Sequence, residues 1–198
     1  MRVHDLFSGL GGASQAFLDH GHDVVRIENN PLLSGITNTC IMGVDEFLNN
    51  YAKEGGNVDL LIMCPPCKDF SLARGERIIN PDLTNVKLCK KAVEIIKPRY
   101  YIIENVRGAI PFFNKVLGSS PIMKMNPWYF WGRFPTFAFP HRDFKKTDGG
   151  RWSTDPLRAN ERAKWPIELS QAFLKAYENQ TTLEEWLDLA KDFPDYCC

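Results

Sequence analysis

The chain has 198 residues, of which 44% are hydrophobic, values that suit a single domain with a full hydrophobic core. Its 24 lysines and arginines balance its 24 aspartates and glutamates, so net charge points to no polyanionic partner, although a local basic surface stays open. The sequence contains no apolar run long enough to cross a bilayer and no signal pattern after Met1, which predicts a cytosolic protein without membrane contact.

Six cysteines are scattered along the chain, a distribution that predicts reduced thiols rather than a disulfide framework. Cys64 and Cys67 form a Cys-x-x-Cys pair. Two prolines lie between them, and neither a second pair nor a nearby histidine completes a zinc set. We therefore expect no metal site.

The chain opens with the pattern of a nucleotide-type α/β unit. Val3 to Phe7 reads as a strand, Ser8-Gly-Leu-Gly-Gly12 as a glycine turn, and Ala13 to His20 as a helix. Glycines at such a turn let the backbone approach a ligand and present N–H groups at the start of a helix. The spacing differs from the Gly-x-Gly-x-x-Gly of dinucleotide folds.

Two acidic residues follow in positions suited to a nucleoside. A second strand, Val24 to Ile27, ends at Glu28, and a carboxylate there can accept hydrogen bonds from a ribose diol. A short third strand near Cys40 to Met42 precedes Asp45 and a helix from Glu46 to Lys53. Asp45 is placed either to contact an adenine amino group or to cap that helix.

The most informative stretch is the strand Leu60 to Met63, whose continuous apolar run indicates burial on both faces of a parallel sheet. Pro65 and Pro66 end the strand, so Cys67 should be held at the carboxyl edge of the sheet, where open α/β folds bind ligands. Cys64 better fits a buried structural thiol. The polar loop that follows carries Arg74 and suits either a lid that contacts phosphate or an ordinary solvated loop.

A further strand, Tyr100 to Ile103, follows an amphipathic helix from Asn85 to Ile96 and ends on Glu104-Asn-Val-Arg107. Adjacent parallel strands bring their carboxyl ends together, so Glu104 should lie beside the Cys67 turn. The predicted fold class is α/β, with a doubly wound, mostly parallel, Rossmann-like sheet.

The second half of the chain changes character. Residues 128–139 are dense in aromatic side chains, with arginines, lysines and a histidine interleaved or following. This composition suits a surface that stacks bases and holds phosphates, but most of the rings are expected to be core. We predict a single domain over residues 1–198 with a small aromatic and basic insertion at 111–150. Helices are expected from Pro166 to Tyr177 and from Thr182 to about Lys191.

Three motifs together resemble those of the cytosine-C5 DNA methyltransferases. They are Asp5-Leu-Phe-Ser-Gly-Leu-Gly-Gly12, Pro65-Pro-Cys67 followed by Phe70-Ser71, and Glu104-Asn-Val106, in the family's order and at the expected strand edges. The segment Arg162-Ala-Lys-Trp-Pro-Ile-Glu-Leu-Ser170 is similar to the closing segment of short phage and prophage members. The resemblance implies an S-adenosylmethionine-dependent methyltransferase fold, with DNA as the substrate and a bacterial or phage-infected cytoplasm as the location.

The resemblance also implies residue roles. The cofactor set is Asp5, Phe7, Ser8, Gly9, Gly11, Gly12, Glu28, Asn29, Asp45 and Pro65. The catalytic set is Cys67, Glu104, Asn105 and Arg142. The substrate set is Ser71, Arg74, Arg107 and Arg133. In this chemistry a thiolate adds to C6 of cytosine to activate C5, and a protonated carboxyl group donates to N3. A base inside a duplex must first be flipped out.

Three departures from the family pattern keep alternatives open. Lys68 replaces the usual glutamine, no Gln-x-Arg-x-Arg segment follows Glu104, and about 90 residues remain where a large target-recognition domain is usual. Arg133 and Arg142 are candidate substitutes for the missing arginines, and a partner protein could supply sequence recognition. The alternatives are a transfer-RNA cytosine methyltransferase, an enzyme that uses a modified sulfonium donor, and a nucleic-acid-binding relative with little turnover. A nicotinamide-binding fold would leave the cysteine and glutamate motifs unexplained.

Overall fold

The computed structural model describes residues 1–71, 79–138 and 154–179. Its strands are β1 (Arg2–Leu6), β2 (Asp23–Glu28), β3 (Thr39–Ile41), β4 (Leu60–Met63), β5 (Tyr100–Asn105), β6 (Met123–Met125) and β7 (Trp128–Arg133). Its helices are α1 (Gln15–Asp19), α2 (Val44–Glu54), α3 (Thr84–Ile96), α4 (Ile110–Leu117), α5 (Arg158–Ala163) and α6 (Ile167–Glu178). Short 3₁₀ turns cover Pro31–Leu33 and Arg107–Ala109.

The strands form one seven-stranded sheet in the order β3-β2-β1-β4-β5-β7-β6. The first five strands are parallel, and β7 pairs antiparallel with both β5 and β6. The strand order reverses direction between β1 and β4, the kind of point at which doubly wound sheets bind ligands beyond their carboxyl edges. The predicted α/β fold class is confirmed.

The two faces of the sheet carry separate cores. On one face, α1 and α6 pack with the rings of Phe17, Phe130 and Phe173, and on the other, α2, α3 and α4 cover the sheet. The interior strand β4 has all four residues buried, as its continuous apolar run predicts. Within the described residues, no helix is long and apolar enough to cross a membrane.

The aromatic segment belongs largely to the sheet, which confirms the expectation that most of its rings are core. Trp128, Phe130 and Trp131 are at most 3% exposed, on a strand that lies against β5. This pairing extends β5 to Asn105, two residues beyond the predicted end. Strands β6 and β7 thus belong to the main sheet, and residues 139–150 of the predicted 111–150 insertion lie outside the described residues.

The predicted helices differ from the observed ones by one or two residues at their ends, as in α2, which begins at Val44 instead of Glu46. α1 begins at Gln15, two residues later than predicted, and its N-cap Ser14 makes no side-chain capping bond because its hydroxyl donates to Asp5. Pro166 is the N-cap of α6, with an extended ψ of 149°, rather than its first helical residue. The predicted final helix from Thr182 to Lys191 lies outside the described residues.

Candidate active site

The Cys67 turn lies at the carboxyl edge of β4, as the two prolines predict. The carbonyl of Cys67 accepts hydrogen bonds from the amides of Phe70 and Ser71, both at 3.0 Å, so the chain folds back directly after the cysteine. Cys67 is half-buried and in no disulfide. Burial, together with the nearby carboxylate of Glu104, raises the pKa of the Cys64 thiol well above its usual value. Cys64 is therefore the inert inner thiol.

Glu104 lies beside this turn. Met63 is aligned with Ile103 in the parallel pair β4–β5, so the next residues of the two strands, Cys64 and Glu104, are neighbours. The Glu104 carboxylate interacts with the Cys64 thiol and accepts a 3.4 Å hydrogen bond from the indole N–H of Trp165. The predicted meeting of the cysteine and glutamate strand ends is confirmed. The role of Trp165 was not visible in the sequence, because 61 residues separate it from Glu104.

Asn105 and Pro65 serve the architecture of the turn. The Asn105 side chain is 1% exposed and donates to the Pro65 carbonyl at 2.9 Å, while its oxygen accepts from the amide of Val106 at 2.9 Å. Both amide ends are thus engaged with backbone, and Pro65 is buried. Asn105 and Pro65 therefore fix the β4 and β5 ends to each other, and the catalytic role of Asn105 and the cofactor contact of Pro65 stay predictions.

The glycine turn after β1 contacts the end of β2 directly. Glu28, 9% exposed, accepts a 2.8 Å hydrogen bond from the amide of Gly9 and two of 3.0 Å from the amides of Asn29 and Asn30. Phe7 has a φ of 58°, which turns the chain sharply out of the sheet. The turn and Glu28 thus form one unit, as the sequence predicts, with Asn29 exposed at its rim.

The glycines of the turn have different neighbours. A Cβ on Gly12 would lie 2.7 Å from the Trp165 carbonyl oxygen, and one on Gly11 would lie 2.5 Å from the Arg26 guanidinium carbon. A Cβ on Gly9 would meet only Asn160, at 3.5 Å. Gly11 and Gly12 are therefore required by the protein's own packing, and Gly9 is where a ligand can approach the backbone.

A buried network lies beneath the turn. Asp5 is fully buried and accepts a 2.7 Å hydrogen bond from the hydroxyl of Ser14. Burial raises the pKa of Asp5 to about 6, against the opposing effects of Ser14 and Arg26. Arg26, 1% exposed, donates to the Ser14 hydroxyl, the carbonyls of Gly11 and Thr37, and the side chain of Gln15.

This network shows that Asp5 supports the turn from below, and its predicted role at the cofactor stays a prediction. Sequence reasoning missed Arg26, although a charged residue inside the apolar run Val24 to Ile27 is a signal for a buried polar partner. The nearby Ser8 is 8% exposed, and its hydroxyl oxygen has no hydrogen-bond partner among the described residues. An orphaned hydroxyl beside the open Gly9 fits a polar ligand at this position.

The remaining predicted site residues lie at different distances from the Cys67 turn, and some lie outside the described residues. Asp45 is exposed in the first turn of α2, and Gly43 holds the N-cap, so the capping alternative for Asp45 is wrong. Arg107 is exposed in the 3₁₀ turn after β5, next to Gly108, which packs against Phe70 of the Cys67 turn. Ser71 ends that turn and is half-buried. Arg74 and Arg142 lie outside the described residues.

Arg133 lies at the opposite edge of the sheet. Its guanidinium donates to the carbonyls of Arg99 and Pro98, both at 2.9 Å, beside the amino end of β5. The antiparallel direction of β7 carries it away from Cys67, and Arg133 is withdrawn from the substrate set. No cluster of three potential metal ligands occurs among the residues that the structure describes.

Comparison with known proteins shows which family the chain resembles in sequence. The family model for the C-5 cytosine-specific DNA methylases matches residues 1–118. Type II methyltransferase M.HgiGI of Herpetosiphon aurantiacus is 32% identical over 123 residues, which cover 55% of this chain and 93% of that protein. Type II methyltransferase M2.BsuMI of Bacillus subtilis is 33% identical over 115 residues, 54% of this chain but only 29% of its own length.

Among solved structures, the SAM-dependent methyltransferase from Agrobacterium tumefaciens aligns with a TM-score of 0.41 at 17% identity, covering 59% of this chain and 42% of that one. The strand order, rather than this alignment, establishes the doubly wound α/β fold. The family match confirms the predicted methyltransferase class. It covers the glycine, cysteine and glutamate motifs and extends to α4. The chain belongs to the C-5 cytosine-specific DNA methylase family.

Proposed function

We propose that Cys67 is the nucleophile and Glu104 the proton donor of this methyl transfer, with the turn at Gly9 and Glu28 holding the cofactor. The observation that carries the proposal is the convergence of these elements at one sheet edge. β1 and β2 contribute the glycine turn and Glu28, and the neighbouring β4 and β5 contribute Cys67 and Glu104. The site therefore has two halves side by side: a cofactor half on β1 and β2, and a chemical half on β4 and β5 that carries the reacting side chains.

The cofactor half suits a nucleoside. The open Gly9 admits close approach, the orphaned Ser8 hydroxyl offers a hydrogen bond, and Glu28 retains one lone pair, on Oε2, for a ribose hydroxyl. Asp45 and Asn29, both exposed at the same edge, are placed for the adenine and ribose. When bound, S-adenosylmethionine supplies an electrophilic methyl group on its sulfonium. Phe7 shapes the sharp turn that brings the glycines to the ligand.

The chemical half activates the base. The Cys67 thiolate forms a bond to C6 of cytosine, and Glu104 donates a proton to N3, which leaves C5 enamine-like and nucleophilic. After C5 has accepted the methyl group, its proton passes to solvent and the electron pair of that C–H bond expels Cys67 from C6. The N3 proton returns to Glu104, which restores the acid. The bond between Cys67 and C6 is thus made and broken once in each turnover.

The target base has to reach Cys67 outside a base stack, so we propose that it is flipped out of the duplex or taken from single-stranded DNA. Arg107 and Ser71 flank the Cys67 turn from two sides and suit contacts to phosphate and sugar. We propose that residues of the predicted 111–150 insertion recognise the target sequence, alone or with a partner protein. We propose the cytoplasm of a bacterial or phage-infected cell as the location of the reaction.

The test combines tritiated S-adenosylmethionine with double-stranded DNA, single-stranded DNA or transfer RNA in separate reactions, followed by nucleoside analysis. We expect label in 5-methylcytosine from DNA and none with Cys67→Ala. The matched control is Cys40→Ala, which removes an exposed thiol on β3 and should leave the rate unchanged. DNA that contains 5-fluorocytosine should form an adduct stable to denaturation, because C5 then has no proton to lose.

Label confined to transfer RNA would reject the DNA substrate, and full turnover by Cys67→Ala would reject the nucleophile. A chain that binds S-adenosylmethionine yet labels no polymer would favour the binding-protein alternative over the enzyme.

A further inference from the structure

Trp165 lies between the two halves of the site. Its side chain is 2% exposed, and its indole N–H donates to Oε2 of Glu104 at 3.4 Å. Its backbone carbonyl and amide lie 2.7 and 2.9 Å from the point that a Cβ on Gly12 would occupy. The ring also packs edge-on against Phe130, with centroids 5.5 Å apart at 84°. One residue thus contacts both the proton donor and the cofactor turn.

We propose that Trp165 is a positioning residue that fixes the Glu104 carboxyl group and couples it to the cofactor turn. The inference rests on the proposed function only in giving Glu104 the role of proton donor. Trp165 itself contacts no reacting atom, so its effect on the reaction is exerted through the orientation and protonation of Glu104.

The chemistry of the contact supports this role. An indole N–H can only donate, so the oxygen that it contacts acts as an acceptor. When Glu104 is protonated, the proton is directed to Oε1, the oxygen that the indole does not contact. When Glu104 is ionised, the N–H stabilises the charge. Among the described residues, the Cys64 thiol at the end of β4 also interacts with the Glu104 carboxyl group.

Helix α6 fixes the tryptophan in place. The Ser170 hydroxyl donates to the carbonyl of Ala13 at 2.8 Å and accepts from the amide of Ala16 at 3.1 Å, and Phe173 packs edge-on against Phe17. These contacts attach the start of α6 to the helix that follows the glycine turn. The indole is therefore held by the same elements that position Gly12. As a result, the cofactor turn and the Glu104 carboxyl group are both positioned by contacts with Trp165.

The test is Trp165→Phe, which keeps an aromatic ring and removes the donor. The matched control is Trp131→Phe, because Trp131 is 1% exposed and donates its indole N–H to Asn114 at 3.0 Å on the opposite face of the sheet. The first readout is the titration of the Glu104 carboxyl carbon by ¹³C NMR in the protein without ligands, assigned with Glu104→Gln.

We expect the Glu104 titration midpoint to rise by about half to one pH unit in Trp165→Phe, because the ionised form loses a hydrogen bond. It should not move in Trp131→Phe. The methyl-transfer rate at saturating cofactor should fall roughly 10-fold in Trp165→Phe alone, with S-adenosylmethionine affinity within about twofold, since the backbone contact to Gly12 is kept.

An unmoved midpoint, or equal rate losses in both variants, would overturn the inference and leave Trp165 as packing. The titration requires no turnover. A wild-type protein that labels no DNA would therefore count against the proposed function, while the Trp165 contact is decided separately by the NMR midpoints.

Discussion

Gly108→Ala tests whether the contact between the two strand ends sets the position of the nucleophile. Gly108 follows β5 in the 3₁₀ turn, and a Cβ there would lie 1.9 Å from the carbonyl oxygen of Phe70, where ordinary contact begins at 3.4 Å. The obstacle is backbone, which cannot rotate away as a side chain does. The two segments must therefore separate by about 1.5 Å.

The displacement is transmitted to Cys67, because the amide of Phe70 donates to the Cys67 carbonyl at 3.0 Å. A misplacement of about 1 Å at a reacting group costs on the order of 100-fold in rate. Overpacking of this kind also lowers the free energy of unfolding by roughly 1–3 kcal/mol. We expect both effects in Gly108→Ala, with the rate loss far exceeding what the remaining folded fraction would explain.

The assay is single-turnover methylation of DNA at saturating S-adenosylmethionine, alongside urea denaturation. Gly118→Ala is a suitable control, because this helix-ending glycine has a φ of 74° and no atom within 4 Å of the added methyl. It should lose about 1 kcal/mol of stability through backbone strain and keep its rate. A Gly108→Ala rate within about threefold of wild type would refute the positioning argument.

Two further predictions concern the buried network at β1 and β2. Arg26→Met removes four hydrogen bonds, including one to Gly11, and should cost about 3–5 kcal/mol of unfolding free energy. The same change should weaken S-adenosylmethionine binding at least ~10-fold, as measured by calorimetry. The control Arg133→Met, at the far edge of the sheet, should keep that affinity. Burial raises the pKa of Asp5 to about 6 and lowers that of His4 to about 4. As pH rises from 4 to 6, stability therefore falls through Asp5 and increases through His4, and the slopes oppose each other. In Asp5→Asn, urea denaturation should reveal the His4 slope, a gain of about 3 kcal/mol between pH 4 and 6.5, and a flat profile would contradict these burial effects.

The sequence alone determined the carboxyl-edge site. Apolar runs that stop at prolines, glycines or acidic residues define the strand ends, and parallel pairing brings those ends together whatever the helices do. Cys67, Glu28 and Glu104 could be placed in this way because each directly follows or ends a buried strand. The three motifs indicated the family for the same reason, because each is a short segment whose residue types by themselves predict a strand end and its chemistry.

The tertiary structure decided which of the neighbouring residues serve the site. Asn105 and Gly12 belong to motifs that resemble those of the family, yet in the structure both contact the protein's own backbone. Arg133 looked like a substrate arginine until the antiparallel direction of β7 put it at the opposite edge. The hydrogen bond from Trp165 to Glu104 joins residues 61 positions apart with no local pattern between them. Such contacts depend on how distant elements pack, and no periodicity or motif in one segment encodes the partner that another segment will supply.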